Sequence, residues 1–550
     1  MKAKEYARDL LCRAMQEEGL EWPEKASVEP PKEEEHGDVA SNAALVLASS
    51  RGQKPRDLAG VLQRRITGNA YVDRVEIAGP GFLNFFFTPY FWHELLQDIL
   101  DQGQRYGCSD FGRGERTLLE YVSANPTGPL HVGHGRGAAV GDSLARILQA
   151  TGFVVDREYY VNDCGRQAQL LGQSILVRYR ELFGEEVVLP EECYKGGYVL
   201  DLAEELKQQR GPEILQLPEK EAISQCADFG LKRLLEWIRA DLSEFGVQHD
   251  IWFKESSLIQ DNTVQQTLDS LKREGMIYEQ NGALWFCSTE YGDDKDRVVR
   301  TSDGELTYFA SDVAYHADKF SRGYDRLINI WGADHHGYIP RIRAAAQALG
   351  RDPDDLQVLL VQMVNLLRGG RYVSMSTRAG EFSTLREVVQ EVGSDAARFI
   401  FLSHKSDSHL DFDLDLVQQR SMDNPVYYVQ YAHARICSLF QKAYARGFDP
   451  DRPRARKISR LIEREELDIL RLLDRYPQVL QVSARSLSPH HLSFYLRDLA
   501  SALHSYYNKL PVLKEGDPDL SHARMALLSG IGQVLRNGLS LLGVRAPEQM

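Results

Sequence analysis

The spacing of apolar residues predicts that the first 105 residues form a small domain of mixed helices and strands. Apolar positions three and four apart indicate helices over residues 3–18 and about 39–48. Residues 72–77 and 82–87 carry apolar and aromatic residues on either side of a Gly-Pro-Gly turn, which is typical of a hairpin. Both patterns together predict an α+β domain.

After a linker rich in glycine and charge at 103–115, strands begin to alternate with helices. Strands are expected at 118–122, 153–159, 326–331 and 357–365, and helices at 135–150 and 339–349. A helical, charge-rich stretch at about 172–279 interrupts this alternation. The pattern therefore predicts a parallel α/β domain over 106–415 that carries an insertion at about 172–300.

The remaining residues, 416–550, are predicted to be helical throughout. The stretch 461–482 is amphipathic, and farther on apolar residues follow the helical spacing at Leu492, Leu496, Leu499, Leu503 and Tyr506. A chain of 550 residues is too long for one hydrophobic core. We therefore expect three domains in the order α+β, α/β and all-α.

Composition narrows the classes of protein that fit this pattern. The chain is 43% hydrophobic and 26% charged, as is ordinary for globular proteins. No apolar run approaches the ~18 residues that a membrane span needs, and the first residues carry acids rather than an apolar signal segment. We expect a cytoplasmic protein that does not contact membranes.

The cysteines argue against a disulfide-stabilised or zinc-binding protein. There are 7, they are scattered, and none forms a Cys-x-x-Cys pair. This spacing fits neither a disulfide framework nor a zinc knuckle. We expect no metal site formed by protein side chains alone.

The net charge of −14 disfavours nucleic-acid binding, which depends on lysine and arginine contacts to phosphate. Charge can nevertheless be segregated along a chain. Between residues 442 and 460 the acids are Asp449 and Asp451, and the bases are Lys442, Arg446, Arg452, Arg454, Arg456, Lys457 and Arg460. This stretch is either a solvated basic linker or a surface for nucleic acid.

The segment from Asn125 to Gly135 lies between a predicted strand and a predicted helix, where α/β folds bind ligands. The start of a helix presents free amide groups to an anion. His131 and His134 are three residues apart, so on a first helical turn both would face the same phosphate. The segment therefore predicts a phosphate site.

Three other interpretations of this segment stay open on the residues alone. The two histidines could bind zinc, although no third ligand has a familiar spacing, or they could be structural. Residues 133–138 also match the loose G-x-G-x-x-A pattern of dinucleotide-binding enzymes. That pattern requires its first glycine at the end of a strand, whereas ten residues separate Val122, the end of the predicted strand, from Gly133.

A second segment, 372–380, is a predicted loop, and the residues between 371 and 378 include three serine or threonine side chains and two arginines. Mobile loops of this composition can close over a triphosphate and exclude water. Taken alone the loop is a weak signal. The presence of both segments in one chain makes each a stronger indication of a triphosphate site.

His131-Val132-Gly133-His134 resembles the His-Ile-Gly-His motif of class I aminoacyl-tRNA synthetases, and Ser374–Arg378 stands where that class carries its Lys-Met-Ser-Lys-Ser loop. The flanking segments are similar to those of the bacterial arginyl-tRNA synthetase family: 123–129, 156–163, 331–338, 423–431 and 542–550. The resemblance spans essentially the whole chain, including His36-Gly37-Asp38, and is densest over 120–163.

The resemblance implies a Rossmann-like catalytic core with a helical insertion, an N-terminal domain that contacts the tRNA elbow and a C-terminal anticodon-binding domain. It implies that arginine and ATP, with Mg²⁺, form arginyl-adenylate and pyrophosphate, and that the arginyl group then passes to the terminal ribose of tRNA(Arg). It also implies that activation needs bound tRNA. A monomer is expected.

The resemblance assigns arginine recognition to two groups of residues. The side-chain pocket maps onto Tyr308 and Asp312, because a carboxylate pairs well with the planar guanidinium and discriminates against lysine. The residues expected around the α-amino and carboxylate groups are Glu120, Ser123, Asn125 and His131. Only the register with the other motifs favours Asp312 over an ordinary surface or capping acid.

The residues expected to bind ATP are His131, Gly133, His134, Asp334, His335, His336, Met375, Ser376 and Arg378. Both lysines of the family loop's general form are missing, since Ser374 and Thr377 stand in their places. The negative charge on the departing pyrophosphate must then be neutralised by Arg378, Arg371, Arg368 or Mg²⁺.

Asp395-Ala396-Ala397-Arg398 resembles the Asp-Ala-Leu-Arg segment at the start of the family's anticodon-binding region. The helices beyond it are expected to contact tRNA through Tyr431, Arg435 and Met550, because aromatic and arginine side chains stack on splayed bases. Alternatives to the ligase are a catalytically inactive tRNA-binding paralogue, a synthetase for another amino acid such as cysteine, and a dehydrogenase.

Overall fold

A computed structural model describes residues 2–31, 33–66, 69–373, 383–448 and 455–550, without the side chains of residues 34 and 455–457. The N-terminal part consists of α1 (Ala3–Glu17), β1 (Val28–Glu29), β2 (Val39–Ser41), α2 (Ala43–Arg51), α3 (Pro55–Ile66), β3 (Val72–Ala78), β4 (Phe82–Phe87) and α4 (Pro89–Gln102). The strands form an antiparallel sheet in the order β1-β2-β4-β3. The predicted hairpin, β3 and β4, is confirmed.

The middle part begins with β5 (Arg116–Glu120), α5 (Val132–Ala150), β6 (Val154–Val161), α6 (Gly165–Leu182), α7 (Gly197–Arg210), α8 (Glu219–Glu244), β7 (Ile251–Lys254), α9 (Glu255–Gln260), α10 (Thr263–Arg273), β8 (Ile277–Gln280), β9 (Ala283–Phe286) and β10 (Arg297–Arg300). It continues with α11 (Tyr308–Ser321), β11 (Arg326–Gly332), α12 (Ile339–Ala348), β12 (Leu356–Val361), β13 (Val364–Arg368), β14 (Arg371–Tyr372), α13 (Leu385–Val392), α14 (Ser394–Phe401), β15 (Leu410–Asp413) and α15 (Leu414–Gln418).

The last part is helical where the structure describes it, as predicted. Its helices are α16 (Pro425–Ala445), α17 (Arg464–Asp474), α18 (Tyr476–Arg485), α19 (His490–Lys509) and α20 (Pro518–Leu541). The five apolar residues predicted to share a face lie on α19 and are all buried. None of the helices in the described ranges is both long and apolar enough to cross a membrane.

The middle part is built on a parallel five-stranded sheet in the order β12-β11-β5-β6-β7. β5 lies at its centre, and the segments that follow β5, β6, β11 and β12 all leave the same edge. Strands buried on both faces are apolar throughout, which explains why Leu118 and Leu119 are both buried. This edge places residues from distant parts of the sequence side by side.

The predicted helix at 39–48 is wrong at its start. Val39–Ser41 forms β2, which pairs with β4, and α2 begins only at Ala43. Val39 and Ser41 are buried on one face of the sheet. Their side chains satisfy the alternation of a strand, and three residues are too few for periodicity to separate the two patterns.

The stretch expected to be helical at 172–279 contains a strand of the central sheet. β7 pairs in parallel with β6 and ends directly before Glu255, and β8 and β9 form an antiparallel hairpin. The apolar run Ile251–Phe253 is too short for periodicity to distinguish a strand from a helix. The helices α6, α7 and α8 nevertheless pack around their own apolar core.

Three other boundaries also differ from the predictions. The helix expected from Gly135 begins at Val132, because the two histidines cap its first turn. The strand expected to run to Val122 ends at Glu120, where the backbone turns. The strand expected at 357–365 divides at Gln362, so that β12 joins the central sheet while β13 pairs with β14 and β15.

The N-terminal part packs on the C-terminal helices rather than standing apart. Trp92 and Leu96 of α4 belong to the same buried apolar cluster as Leu470 of α17 and Ile531 of α20. That cluster also includes residues of α5, the helix that follows the central strand. The three parts of the chain therefore share a continuous core.

Candidate active site

A cavity of about 660 Å³ opens at the edge of the sheet where the parallel strands end. It is lined by residues that follow β5, β11 and β12, together with the first turn of α5. Among the predicted site residues it brings together Ser123, Asn125, His131, Gly133, His134, Asp334 and His335. His336 is exposed and does not line this cavity.

The two histidines form a fixed pair at the start of α5. His131 is the N-cap residue, and its Nδ1 accepts a hydrogen bond of 3.1 Å from the Gly133 N–H. His134 Nδ1 faces the His131 N–H at 3.3 Å, and the ring centroids are 3.6 Å apart. Side chains therefore satisfy two of the amide groups that a helix start leaves free.

Burial determines the charge of both rings, and the hydrogen bonds of the pair determine which nitrogen carries the proton. Burial lowers the pKa of His131 and, with the neighbouring His131 ring, lowers the pKa of His134 to about 3. Each Nδ1 accepts from a backbone N–H, so the proton of the neutral ring sits on Nε2. Two neutral Nε2–H donors are thus held together without a positive charge.

The backbone between β5 and α5 is strained. Val122 and Ser123 have φ values of +70° and +39°, a region that non-glycine residues rarely adopt and β-branched residues almost never. The Ser123 N–H donates to Tyr121 O at 3.0 Å, which closes a tight turn around Val122. Strain of this kind concentrates at functional sites.

Ser123 connects this turn to a buried ion pair. Its hydroxyl donates to Glu120 Oε1 at 2.9 Å and accepts from the Tyr160 N–H at 3.1 Å. The other oxygen of Glu120 pairs with Nζ of Lys319, which also donates to Asn329 Oδ1 at 3.0 Å. The sequence analysis missed Lys319, because its α11 position is joined to Glu120 only by the packing of the sheet.

A second group of acids lies beside Asp312 on α11. Tyr338 donates to Asp312 Oδ2, and burial together with the charges of Glu255 and Glu120 raises the pKa of Asp312 to about 7. Glu255, the first residue of α9, is 5% exposed, and burial also raises its pKa. An uncompensated buried carboxylate is costly, so this arrangement is suited to a cationic ligand.

Glu255 was also missed, and a local signal would not have found it. It becomes a neighbour of Asp312 because β7 joins the sheet next to β6. Tyr308, the other predicted pocket residue, is the first residue of α11 and is 66% exposed. Tyr308 and Asp312 lie one turn apart, so they share a face of α11.

The residues after β11 are more open to solvent. Asp334 and His335 line the cavity, and His335 Nε2 lies 3.5 Å from Asp334 Oδ2. Both side chains are largely exposed and belong to a short 3₁₀ helix, Ala333–Tyr338. Their position fits a contact with a ligand in the cavity rather than a structural role.

Met375, Ser376 and Arg378 lie outside the described residues, as do Ser374 and Thr377. The described neighbours on both sides are close to the cavity. Tyr372 and Val373 line it, and the Leu385 N–H donates to Leu130 O at 2.8 Å. The chain therefore leaves the cavity rim at 373 and returns beside the start of α5.

The predicted tRNA contacts occupy two neighbouring places on the C-terminal helices. Tyr431 stacks on Tyr427 and on His504, each at 5.8 Å between centroids. The guanidinium of Arg435 lies 3.8 Å above the ring of Tyr507. Met550 instead lines a separate cavity of about 900 Å³, whose basic residues are Arg146, Arg420, Arg536 and Arg545. Much of the basic stretch at 442–460 lies outside the described residues.

The described part of the structure does not support the interpretation of the histidine pair as a zinc site. Within the described ranges, the one group of three potential metal-binding side chains that lie close together is Glu33, Glu35 and His36, which are exposed. The seven cysteines are free thiols. His131 and His134 have no third such side chain beside them in the described part of the chain.

Three family models match the chain in order. They are described as an arginyl tRNA synthetase N-terminal domain, over residues 5–87, a catalytic domain of class I tRNA synthetases (R), over 95–436, and a DALR anticodon binding domain, over 429–550. Together these models account for nearly the whole length of the chain.

Curated relatives and solved structures agree with these models. The arginine–tRNA ligases of Solidesulfovibrio magneticus and Oleidesulfovibrio alaskensis are 53% and 52% identical, with 100% of each chain covered. A Campylobacter jejuni structure described as an arginyl-tRNA synthetase has a TM-score of 0.77 at 39% identity, and covers 84% of this chain and 100% of its own. The Thermus thermophilus arginyl-tRNA synthetase has a TM-score of 0.77 at 23% identity, with 100% of both chains covered.

Proposed function

Because this chain belongs to the arginyl-tRNA synthetase family, we propose how its own residues activate arginine and pass it to tRNA. It is an arginine–tRNA ligase that uses ATP. The alternative of an inactive paralogue finds no support among its relatives. The observation that carries the mechanism is the pair of neutral imidazoles at the start of α5, in a cavity next to the acids around Asp312.

ATP lies in the cavity with its phosphates at the first turn of α5. An oxygen of the arginine carboxylate attacks the α-phosphorus, and the bond from that phosphorus to the pyrophosphate oxygen breaks. The Nε2–H groups of His131 and His134 donate to the phosphate oxygens as negative charge grows on them. Because both rings are neutral, they stabilise this charge as hydrogen-bond donors and do not need to transfer a proton.

Mg²⁺ bound together with ATP would supply positive charge to the phosphate groups. The carboxylate of Asp334 and the amide oxygen of Asn365, which line the cavity, would hold it. Gly133 leaves the His131 ring in place at the phosphate end of the cavity, since a Cβ there would meet that ring at about 3.0 Å. Asp334, His335 and His336 lie on the adenosine side.

The guanidinium of arginine lies between Asp312 and Glu255, and Tyr308 covers it. Tyr338 holds the Asp312 carboxylate in place by its hydrogen bond. Glu120, Ser123 and Asn125 bind the α-amino and carboxylate groups near His131. In this arrangement Lys319 holds the Glu120 carboxylate in place through their buried ion pair.

The binding of arginine should depend on pH through Asp312. Its pKa of about 7 means that half of the free enzyme carries the neutral acid at neutral pH, whereas arginine stays charged and needs the carboxylate. The kcat/KM for arginine in ATP–pyrophosphate exchange should therefore rise about tenfold from pH 6 to pH 8 and then level off. A flat profile, or one that falls with pH, would contradict this assignment.

The loop that carries Met375, Ser376 and Arg378 completes the ATP site. Arg378 replaces the charge that the missing loop lysines would supply, because it directly follows the second lysine position, whereas Arg371 lies before the loop and Arg368 is paired with Glu391. We expect Arg378→Ala to slow adenylate formation at least tenfold, about 1.4 kcal/mol in the barrier, with little change in tRNA affinity. Pre-steady-state quench flow measures this step, and an unchanged rate would remove Arg378 from the mechanism.

The C-terminal part binds the anticodon through Tyr431 and Arg435 of α16 and through Met550 of the tail, and activation requires bound tRNA. The chain acts as a monomer in the cytoplasm, with domains over 1–105, 106–415 and 416–550. The insertion of about 172–300 belongs to the second domain and includes β7. The N-terminal domain contacts the elbow of the tRNA.

A charging assay with bulk tRNA and each of the twenty amino acids, separately labelled, tests the function directly. We expect arginine alone to be incorporated. ATP–pyrophosphate exchange with arginine, with and without tRNA, then tests the proposed tRNA requirement. Charging with a different amino acid would overturn the ligase assignment, whereas exchange without tRNA would overturn only the requirement.

A further inference from the structure

Arg398 lies where its own helix, α14, meets three others, and its side chain is completely buried. It belongs to α14 and to the Asp395–Arg398 segment that the mechanism above does not use. Its hydrogen bonds are Nε to Leu542 O at 2.9 Å, Nη1 to Phe245 O at 3.2 Å and Gly246 O at 3.5 Å, and Nη2 to Asp142 Oδ2 at 2.5 Å and Ser143 Oγ at 3.5 Å. A guanidinium has five N–H donors, and these five hydrogen bonds give every one of them a partner.

Each of these partners leads to a different functional part of the chain. Asp142 and Ser143 lie on α5, about 15 Å along the helix from the histidine pair at 1.5 Å per residue. Phe245 and Gly246 end α8 and lead through β7 to Glu255. Leu542 ends α20 and leads into the C-terminal tail, residues 543–550.

Only an arginine satisfies this junction. The carbonyl groups at the ends of α8 and α20 have no partner within their own helices and carry partial negative charge. A lysine offers three donors from one point, whereas the planar guanidinium reaches three directions at once. Asp142 supplies the counter-charge, and it is also paired with Arg146 at 2.8 Å.

The C-terminal tail is fitted against the same side chain. Gly543 has a φ of +65°, and a Cβ built there would lie 2.3–2.6 Å from the guanidinium atoms of Arg398. Two residues later, Arg545 pairs with Asp395 of α14 at 2.8 Å. A shift of the tail therefore acts on α14 at two points.

We propose that Arg398 is a positioning residue that couples the C-terminal tail to the ATP and arginine pockets. The side chains of the junction are fully buried and tightly packed, so movement of the end of α20 must either break these bonds or move α5 and the segment before Glu255. tRNA bound at the tail thereby sets the position of the imidazole pair. This inference rests on the proposed tRNA requirement for activation.

The test is ATP–pyrophosphate exchange by full-length R398K, with and without tRNA(Arg), per folded active site. The stimulation by tRNA is measured as the exchange kcat at saturating tRNA, because the proposal predicts no exchange without it. We expect this kcat to fall at least tenfold, while the tRNA Kd from filter binding changes less than about threefold. Couplings between sites are typically about 5- to 150-fold. A merely structural role would reduce the amount of folded enzyme without changing the stimulation at each site.

R524K is the matched control. Arg524 is also a buried arginine, which donates to Glu466 at 2.8 Å and to Pro511 O at 2.8 Å, and it lies in the C-terminal helices. We expect R524K to lower the melting temperature and to keep the wild-type stimulation.

G543A is a second variant, which presses a methyl group on the guanidinium and leaves Arg398 in place. The stimulation of the G543A enzyme by tRNA should fall at least about threefold. This variant tests the coupling even if R398K does not fold. Wild-type stimulation in a folded R398K or G543A enzyme would overturn the coupling alone. Exchange by the wild-type enzyme without tRNA would overturn the tRNA requirement and the coupling with it.

Discussion

Replacing His134 by alanine is expected to slow arginyl-adenylate formation about 100- to 1000-fold, the typical loss when one donor to a developing oxyanion is removed. The imidazole is neutral, its Nδ1 accepts the His131 N–H, and its Nε2–H remains to reach the phosphate. The single-turnover rate in saturating arginine, ATP and tRNA measures the loss. The rate should show no titration of this ring between pH 5 and 8, since its pKa lies near 3.

His134 also caps the helix, so two variants separate that role from catalysis. His134→Asn keeps an oxygen that accepts the His131 N–H but places no donor where Nε2 stands, and should be nearly as slow as H134A with a higher melting temperature. Loss of a cap alone costs about 0.5–2 kcal/mol of stability. H409A, an exposed histidine outside the cavity, serves as the control. An H134N enzyme with the wild-type rate would remove the donor role.

Replacing Asp312 by asparagine should raise the arginine KM about 30-fold or more, because truncating one partner of a buried charge pair costs about 2 kcal/mol or more. Asparagine has nearly the same shape but cannot offer two anionic oxygens to the guanidinium. Steady-state exchange at varied arginine and fixed ATP measures the effect. The KM for ATP should stay within about twofold, because Asp312 does not line the ATP cavity.

The control for this variant is Tyr338→Phe, which removes the hydrogen bond to Asp312 and keeps both acids. It should raise the arginine KM only a few-fold. D312N should also abolish the rise of kcat/KM between pH 6 and 8. An unaltered arginine KM in D312N would mean that the guanidinium binds elsewhere, while the ATP site could still be correct.

Local patterns predicted the elements that depend on local chemistry. β3, β4, β11 and α12 lie within one residue of their expected bounds, because each is a run rich in apolar residues with glycine, proline or polar residues close to its ends. The histidine motif also predicted that the two side chains lie together at the start of a helix, since that arrangement needs no distant partner. The start of α5 was misplaced by three residues because histidine is an unusual N-cap.

What the sequence could not reveal depends on the order of strands in the sheet. Lys319 meets Glu120 across 199 residues, and nothing near either residue indicates the pair. Glu255 reaches Asp312 only because the short strand β7 joins the edge of the sheet. The positive φ of Val122 is likewise invisible, because a β-branched residue after a strand normally continues it.

The central claim is that one cavity holds the phosphates at the imidazole pair while the neighbouring acids hold the guanidinium. A crystal structure of the enzyme with a non-hydrolysable arginyl-adenylate analogue tests both halves at once. We expect the phosphate mimic within hydrogen-bond distance of Nε2 of His131 or His134, and the guanidinium between Asp312 and Glu255. An analogue bound outside this cavity, or with its guanidinium away from both acids, would contradict the account.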